Sequence, residues 1–423
     1  MSKTALNITD TRFTINDRLT YSDIPKSKPQ VHGLLMNARF IQGIFDDKAD
    51  PSRFCRFGVE WDAEANTERL IAALPEWKRH GLLAFTVGLQ GGMPVLTIEN
   101  KTIDNNPYSE DGTQIEPAYL QRLERLLQAA DELGMIVIVS LLYQGQSNRM
   151  ADGRSIRNAV ATASRFLKEA AYTNVIIEVA NEYNVGYFKN HPLVYHPQGI
   201  ASLIDLARQE SGGLPVGSSG GGLVCSPEVC QASDVILLHG NHGTEQTYYN
   251  MIRKAQALEL NRPILCNEDS PRFTQLKVAL QTQTSWGYYN THTKQEPPAD
   301  WSITRGEDQF FAWRMANAIG IEVSEISAED QFYFQGFEEA NTYQGQRWIR
   351  LASLYPERID YVEFYRDGEF FDVAYEEPYY PLHKTTWIQG GITVSSQQES
   401  WKAIIYLHSG EVLERVVVVE PYD

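Results

Sequence analysis

Two glutamates stand at the ends of short apolar runs that have the composition of buried strands. Residues 174–184 read N-V-I-I-E-V-A-N-E-Y-N and residues 263–269 read P-I-L-C-N-E-D, so Glu182 and Glu268 each follow an asparagine. Runs rich in Val and Ile that end in polar residues are typical of parallel strands covered on both faces. Folds of this class keep their sites at the carboxyl ends of the strands. The two glutamates are therefore a candidate acid–base pair.

The elements that must position this pair alternate regularly along the chain. Between Gly33 and Gly320, eight strand-like segments are each followed by a helix-like or turn-rich segment. The strand-like segments are 33–39, 82–90, 135–143, 174–181, 214–222, 234–240, 263–269 and 285–290. Eight consecutive units of this kind predict a (β/α)8 barrel of parallel strands. A doubly wound open sheet is the alternative, because strand order cannot be read from the sequence.

The remaining segments predict two smaller parts. Residues 1–30 form an N-terminal extension, with a hairpin whose tight turn is Asn16-Asp17. The barrel is expected to cover 31–325. Beyond it, runs of alternating apolar and polar residues are separated by turn signals, of which Asp367-Gly368 is the strongest, and they predict a small β-sandwich over 335–423. This module offers no cluster of convergent titratable groups, so its expected role is structural or weakly sugar-binding.

The composition argues against several classes of partner. The 423 residues include 54 acidic and 37 basic side chains, for a formal charge of −17. Such a charge disfavours nucleic acid or an anionic membrane as a partner and suits a neutral substrate. No run approaches the ~18 apolar residues of a membrane span. The chain starts without an apolar leader segment, which predicts a cytoplasmic protein, or a secreted or periplasmic one if a leader was removed.

The four cysteines do not have the spacing of a metal site or of a disulfide framework. They are Cys55, Cys225, Cys230 and Cys266. We interpret them as reduced thiols in the core.

The two Asn-Glu endings resemble those of a known enzyme clan. An Asn-Glu that ends strand four and a Glu that ends strand seven are similar to the retaining (β/α)8 glycoside hydrolases of clan A, which include family-5 cellulases and β-mannanases. The resemblance covers roughly residues 30–325. It implies that Glu182 is the general acid and base, that Glu268 is the nucleophile, and that Asn181 binds the sugar 2-hydroxyl. Such hydrolases use two carboxyl groups about 5–5.5 Å apart.

The chain departs from the pattern of the clan at three places. Tyr183 stands where the clan usually has proline after the acid, and Asp269 follows the predicted nucleophile. After strand six the chain has His239-Gly240-Asn241-His242, where the clan often has tyrosine. The C-terminal stretch V-E-F-Y-R-D-G, followed by P-Y-Y-P, resembles the immunoglobulin-like modules of carbohydrate-active enzymes.

Further side chains are predicted to surround the pair. Arg39, at the end of strand one, matches a clan position whose arginine keeps the nucleophile ionised, and Glu178 is expected to form a buried ion pair with it. His239 and His242 are candidate hydrogen-bonding partners of the nucleophile or the sugar. Trp286 matches the aromatic platform that the clan places beneath the sugar. The other candidates for the mouth of the barrel are Gln90, Tyr143 and Gln146.

The leading hypothesis is a retaining hydrolase of β-linked glycosides, with an oligosaccharide, polysaccharide or glycoside as substrate and with no cofactor. We expect Glu268 to stay ionised and Glu182 to carry the proton. A non-catalytic carbohydrate-binding barrel is one alternative. A metal-dependent hydrolase that uses His239 and His242 is the other; its third ligand would have to be one of the glutamates, and we assign no metal. The sequence does not indicate the oligomeric state.

Overall fold

A computed structural model describes residues 2–94, 96, 100–338, 342–384 and 389–421. The N-terminal extension forms a small antiparallel sheet with strand order β1-β2-β3, made of Leu6–Thr9, Arg12–Ile15 and Arg18–Leu19. Asn16 and Asp17 connect β2 and β3 with positive φ angles of 51° and 61°. These angles match the two-residue turn that closes a right-twisted hairpin, as the sequence predicted.

The next eight strands run parallel to their neighbours. They are β4 (Asn37–Arg39), β5 (Ala84–Gly88), β6 (Ile136–Tyr143), β7 (Val175–Asn181), β8 (Val216–Gly217), β9 (Ile236–His239), β10 (Ile264–Glu268) and β11 (Gly287–Tyr288). Six of them form one sheet in the order β11-β4-β5-β6-β7-β8, and β9 pairs with β10. Val, Ile and Leu side chains on both faces of these strands are buried, as expected for a covered parallel sheet.

Backbone hydrogen bonds also join the two groups of strands. The amide of Asp234, just before β9, donates to the carbonyl of Val216 in β8 at 2.7 Å. On the other side, Ser285 exchanges hydrogen bonds of 3.1 and 3.0 Å with Ile264 and Cys266 of β10. Because Ser285 lies directly before β11, these bonds bring β10 beside the first sheet.

Helices follow most of the strands. They are α1 (Ala63–Arg79), α2 (Pro117–Leu133), α3 (Gly153–Ala170), α4 (Pro192–Tyr195), α5 (Pro197–Glu210), α6 (Pro227–Ala232), α7 (Glu245–Gln256), α8 (Phe273–Thr282) and α9 (Glu307–Ile319). Gly134 follows the periodic stretch 117–133, which predicts that it ends a helix, and with a φ of 70° it ends α2. Among the described residues, no helix has both the length and the apolar character needed to cross a membrane.

The start of α1 differs from the prediction. The stretch N-T-E-R-L that begins at residue 66 predicts Asn66 as the cap, but the side chain of Asp62 accepts hydrogen bonds from the amides of Glu64 and Ala65. Asn66 is fully buried, donates to the carbonyl of Gln42 and accepts from the indole of Trp301. Both residue types cap helices well, so the sequence alone could not separate them.

The C-terminal part consists of antiparallel strands. They are β12 (Phe332–Gln335), β13 (Thr342–Tyr343), β14 (Gln346–Arg347), β15 (Arg350–Ser353), β16 (Ile359–Arg366), β17 (Glu369–Ala374), β18 (Ile392–Thr393), β19 (Glu399–Leu407) and β20 (Val412–Val419). The largest sheet has the order β17-β16-β19-β20, and two smaller sheets pair β12 with β15 and join β13, β14 and β18. A mixed α/β chain with a parallel sheet and separate antiparallel sheets is therefore confirmed.

The antiparallel part is joined to the α/β part by buried polar contacts. The guanidinium of Arg350 lies 2.8–2.9 Å from the carboxylate of Glu307, and both side chains are almost fully buried. Glu377 accepts hydrogen bonds from the amides of Phe273 and Thr274 at 2.7 and 3.2 Å. Glu377 thus satisfies backbone donors at the start of α8.

The Arg350–Glu307 pair gives a first testable expectation. Replacing Arg350 with methionine leaves a buried carboxylate without its partner, which costs about 3–5 kcal/mol. The midpoint of urea unfolding, followed by tryptophan fluorescence, should fall accordingly. Arg305→Met is the matched control, because Arg305 pairs with Asp330 at the surface and such exposed pairs contribute little to stability. Equal shifts for the two variants would contradict this interpretation.

Candidate active site

Ionisable side chains from four parallel strands meet at one end of the α/β part. Arg39 ends β4, Glu178 lies within β7, His239 ends β9 and Glu268 ends β10. Glu182 directly follows β7. Parallel strands bring their carboxyl ends to the same edge, so the two predicted glutamates are brought together with Arg39 and His239.

Glu268 is held by two donors on opposite oxygens. Arg39 Nε lies 2.7 Å from Oε2, and Asn241 Nδ2 donates to Oε1 at 2.7 Å. The carboxyl group is deeply buried, with 6% of its side chain exposed. Sequence reasoning did not single out Asn241 as a site residue, because its contact depends on the conformation of the loop after β9.

Glu182 is more exposed, and its backbone is firmly held. Its φ of 54° places it in the left-handed region, an uncommon conformation for a residue other than glycine. Its amide donates to Ser219 Oγ at 3.1 Å, and the next amide, of Tyr183, donates to the carbonyl of Ser219 at 3.0 Å. The side chain is 18% exposed, three times the value for Glu268. Of the two carboxyl groups, Glu182 is the one open to solvent.

His239 lies between the two carboxyl groups. Its Nδ1 is 3.1 Å from Oε1 of Glu182 and 3.6 Å from Oε2 of Glu268. One oxygen of each glutamate and one ring nitrogen of His239 all lie within 4.8 Å of one another. The two carboxyl groups can therefore act on a single bond of one substrate.

The same three atoms are of the types that bind zinc and similar ions. However, the guanidinium of Arg39 lies 2.7 Å from Glu268 and would repel a divalent cation at this position. His242, the second histidine of the metal hypothesis, is not part of this group. The donor set fits a charged hydrogen-bonded cluster better than a metal centre.

Glu178 lies behind the pair and is fully buried. Its Oε1 accepts hydrogen bonds from Ser219 Oγ at 2.7 Å and from Asn267 Nδ2 at 2.9 Å. Its Oε2 is 4.0 Å from Arg39, as the sequence predicted. Burial acts to raise the pKa of Glu178, but His239 and Arg39 outweigh it and lower the pKa to about 2. Glu178 is therefore an anion throughout the physiological range.

His239 is a cation in this site. Burial acts to lower its pKa, but the charge of Glu268, the contact of Nε2 with Glu178 at 3.8 Å and the hydrogen bond of Nδ1 with Glu182 raise the pKa to about 10. Three carboxylates thus surround two cations, Arg39 and His239.

The pKa directions of the two catalytic candidates are the reverse of the sequence-based expectation. Burial and repulsion by Glu182 and Glu178 raise the pKa of Glu268, although Arg39 and His239 oppose the shift. The pKa of Glu182 is lowered, because its hydrogen bond and charge interaction with His239 outweigh burial. The reason is geometric, since the histidine is closer to Glu182 than to Glu268. In the site without substrate, the proton that Glu182, Glu268 and His239 can share therefore lies on His239.

Three other predicted residues lie near the cluster. Asn181 accepts a hydrogen bond from Arg39 at 2.6 Å and is almost fully buried. Burial is the main cause that raises the pKa of Tyr143, and the charges of Glu182 and Glu268 add to it. His242 is exposed; partial desolvation lowers its pKa, and the charge of Glu182 opposes that shift.

Gln90 and Gln146 are held by neighbouring loops instead of facing a substrate. The amide oxygen of Gln90 accepts from the amide of Tyr143 at 2.6 Å, and its nitrogen donates to Asn106. The amide oxygen of Gln146 accepts from the amide of Asn105, and its nitrogen donates to the carbonyl of Ile103. Both side chains are buried, so they position the loops around the site.

Trp286 does not form the predicted platform. It is fully buried, packs against Phe311 with ring centroids 5.7 Å apart, and donates its indole N–H to Asp269 at 2.7 Å. Tyr288 packs on the same Phe311. Because successive side chains of an extended segment alternate between its two faces, the side chain of Tyr289 points to the opposite face. The ring of Tyr289, the residue directly after β11, lies 5.7 Å from the Arg39 guanidinium, so this aromatic side chain lies beside the cluster. The alternation of side chains along a strand could have indicated that Tyr289 faces the cluster and that Trp286 does not.

Sequence comparisons find no relative: no family model matches the chain, and no curated protein matches it. Comparisons of structure do find matches. The β-glucuronidase of Parabacteroides merdae has 11% identity over 99% of this chain and a TM-score of 0.43, and this chain spans 50% of its length. The endo-β-1,4-mannanase of Thermotoga petrophila has 9% identity over 96% of this chain and all of its own, with a TM-score of 0.46.

A third match supports the fold. A protein of Bacteroides vulgatus that bears the provisional name of a glycoside hydrolase has 11% identity and a TM-score of 0.50. The match covers 98% of this chain and 76% of that one. The chain therefore has a fold that is found among glycoside hydrolases, as its sequence predicted.

Proposed function

We propose that this chain is a glycoside hydrolase that cleaves β-linked glycosides with retention of configuration, with Glu268 as nucleophile and Glu182 as general acid and base. The observation that carries the proposal is the close approach of the two carboxyl groups, since an oxygen of one lies within 4.8 Å of an oxygen of the other. Retaining enzymes place the groups about 5–5.5 Å apart, whereas inverting enzymes leave about 6.5–9.5 Å for a water molecule.

The scaffold in this proposal is a closed (β/α)8 barrel over 31–325, with an N-terminal extension over 1–30 and an immunoglobulin-like β-sandwich over 335–423. Pairing of β11 with β4, and the backbone hydrogen bonds that join β8 to β9 and β10 to the start of β11, support closure. The catalytic groups then follow strands on opposite sides of one opening.

Glu268 is suited to nucleophilic attack. Arg39 and Asn241 each donate to one of its oxygens, which fixes the orientation of the carboxylate and stabilises its charge. In the first step Glu268 attacks the anomeric carbon while the leaving oxygen takes a proton from Glu182. In the second step Glu182 takes a proton from water, the water oxygen attacks the same carbon, and Glu268 is released.

His239 supplies the proton that the first step needs. In the free site His239 is protonated, and its Nδ1 lies 3.1 Å from Oε1 of Glu182. Transfer along this hydrogen bond gives a neutral Glu182 and a neutral His239 while Glu268 stays ionised, with no change in the total charge. Loss of water around Glu182 when substrate binds favours the neutral acid and so drives the transfer.

The surrounding side chains suggest how a sugar is held. In this proposal Asn181, which accepts a hydrogen bond from Arg39, binds the 2-hydroxyl, as the resemblance to clan A implies. Tyr143, Tyr289 and His242 provide polar groups and ring surfaces near the pair. The acidic surface of the protein favours a neutral sugar.

The proposed function is tested by turnover of a panel of aryl β-glycosides, followed by release of the phenol. Wild-type protein should turn over at least one member, with or without EDTA, and the double variant Glu182→Gln and Glu268→Gln should not. Binding of a sugar without turnover by the wild type would indicate a carbohydrate-binding barrel. Loss of turnover in EDTA would indicate a metal-dependent hydrolase.

The charge on His239 has a consequence for stability. A folded-state pKa of about 10 exceeds the unfolded value, so the stabilisation is complete below about pH 6.5 and is lost as the pH rises through 10. The free energy of unfolding of the wild type should therefore decrease between pH 7 and 10 more steeply than that of His239→Gln, by an amount on the order of a few kcal/mol. Urea titrations at three pH values measure this difference. Parallel curves for the two proteins would mean that His239 is neutral.

A further inference from the structure

Two of the four cysteines lie in contact beside the candidate active site. The Sγ atoms of Cys225 and Cys230 are 3.3 Å apart. Cys225 is half-buried in the loop before α6, and Cys230 is buried within that short helix. The sequence predicted reduced thiols in the core and did not indicate that any two of them are in contact. Instead the turn at Ser226 brings these two together, and Cys55 is exposed.

The two thiols differ in the way expected of an attacking and a resolving cysteine. The pKa of Cys225 is lowered, first by the hydrogen bond with Cys230 and also by the nearby charge of Lys254. That same hydrogen bond, together with burial, raises the pKa of Cys230. Cys225 is also the more accessible of the two. Thiolate character and access make it the first to react.

The loop that carries Cys225 supports the backbone around Glu182. Besides the contacts of Ser219 described above, the amide of Gly221 donates to Asn184 Oδ1 at 2.8 Å. At the other end of the loop, the hydroxyl groups of Tyr183 and Ser226 are hydrogen-bonded to each other. Because Ser226 directly follows Cys225, a covalent link from Cys225 to α6 would fix the hydroxyl that holds Tyr183.

We propose that Cys225 and Cys230 form a reversible oxidation site, at which an internal disulfide restrains segment 218–226 and through it the backbone of Glu182. The effect on catalysis rests on the function proposed above, but the disulfide does not. The oxidant is a low-molecular-weight disulfide. The Cys225 thiolate attacks one of its sulfurs and releases one thiol, and the Cys230 thiolate then attacks the Cys225 sulfur and releases the second. Two electrons pass from the protein to the oxidant, and the two thiol protons leave the protein.

The chemistry can be tested by mass spectrometry on full-length Cys55→Ser protein treated with oxidised glutathione. We expect an intact mass that is two hydrogens lower. Cleavage after Glu228, which lies between the two cysteines, should give two peptides that separate only after reduction. Cys230→Ser should stop at a glutathione adduct on Cys225. A persistent adduct on the protein that keeps both cysteines, or two unreacted thiols, would overturn the proposal.

Restraint of the loop can be tested independently of turnover. Hydrogen exchange of the amides in 182–185 and 218–226 should become several-fold slower on oxidation, and the change should be absent from Cys230→Ser. Unchanged exchange in a protein with the disulfide formed would overturn the structural link. If no glycoside is turned over in either redox state, the proposed function fails, while the thiol and exchange results still decide this inference.

Discussion

Replacing Glu268 with alanine is expected to reduce kcat for aryl β-glycosides by roughly 10⁴- to 10⁶-fold, the range found when a nucleophile is removed from a catalytic unit. No covalent intermediate can form without its carboxylate. The truncated side chain leaves room for a small anion on that face of the sugar. Added azide should therefore restore turnover and give a glycosyl azide of inverted configuration.

Asp269→Asn is the matched control for Glu268→Ala. Asp269 is the neighbouring carboxyl group, but it is buried and accepts the indole N–H of Trp286, which an asparagine oxygen can also do. Its kcat should stay within about tenfold of wild type, because no catalytic group is lost. A Glu268→Ala variant with near wild-type turnover would show that another residue is the nucleophile.

Replacing Glu182 with alanine should have an effect that depends on the leaving group. Loss of a general acid costs about 10²- to 10⁴-fold when the departing oxygen needs a proton. A dinitrophenyl group departs without one, so its first step should be nearly as fast as in the wild type, with the intermediate accumulating afterwards. Azide should then accelerate turnover and give a product of retained configuration.

The comparison between substrates is an internal control for this variant. A folding defect lowers the rate for substrates with good and with poor leaving groups alike. Loss of the general acid lowers the rate mainly for substrates with poor leaving groups. Equal losses for both classes would assign Glu182 a structural role. Pre-steady-state release of dinitrophenol measures the first step directly.

The sequence predicted the positions of the two glutamates because both depend on short-range features. Each follows an apolar run and an asparagine, and parallel strands bring such endings to one edge. The partnership of Arg39 with Glu178 could be expected from strand parity. The short strands β8 and β11, with two residues each, left little pattern from which to place the side chains around them.

Contacts made by loops could not be predicted in this way. Asn241 reaches Glu268, and Cys225 meets Cys230, through turns whose shape depends on packing with distant segments. The platform assigned to Trp286 failed because its ring points to the helices and Tyr289 points to the other face. The sequence also could not indicate how the pKa values of Glu182 and Glu268 shift, because the shifts depend on how closely His239 approaches each carboxyl group.

The most direct test of the central claim is the configuration of the first product released by the wild-type enzyme from a β-linked substrate. Proton NMR, recorded before mutarotation, identifies the anomer from the signal of its anomeric proton. Two displacements at the same carbon, first by Glu268 and then by water, predict that the β-anomer appears first. Initial appearance of the α-anomer would contradict the double displacement and the roles proposed for Glu182 and Glu268.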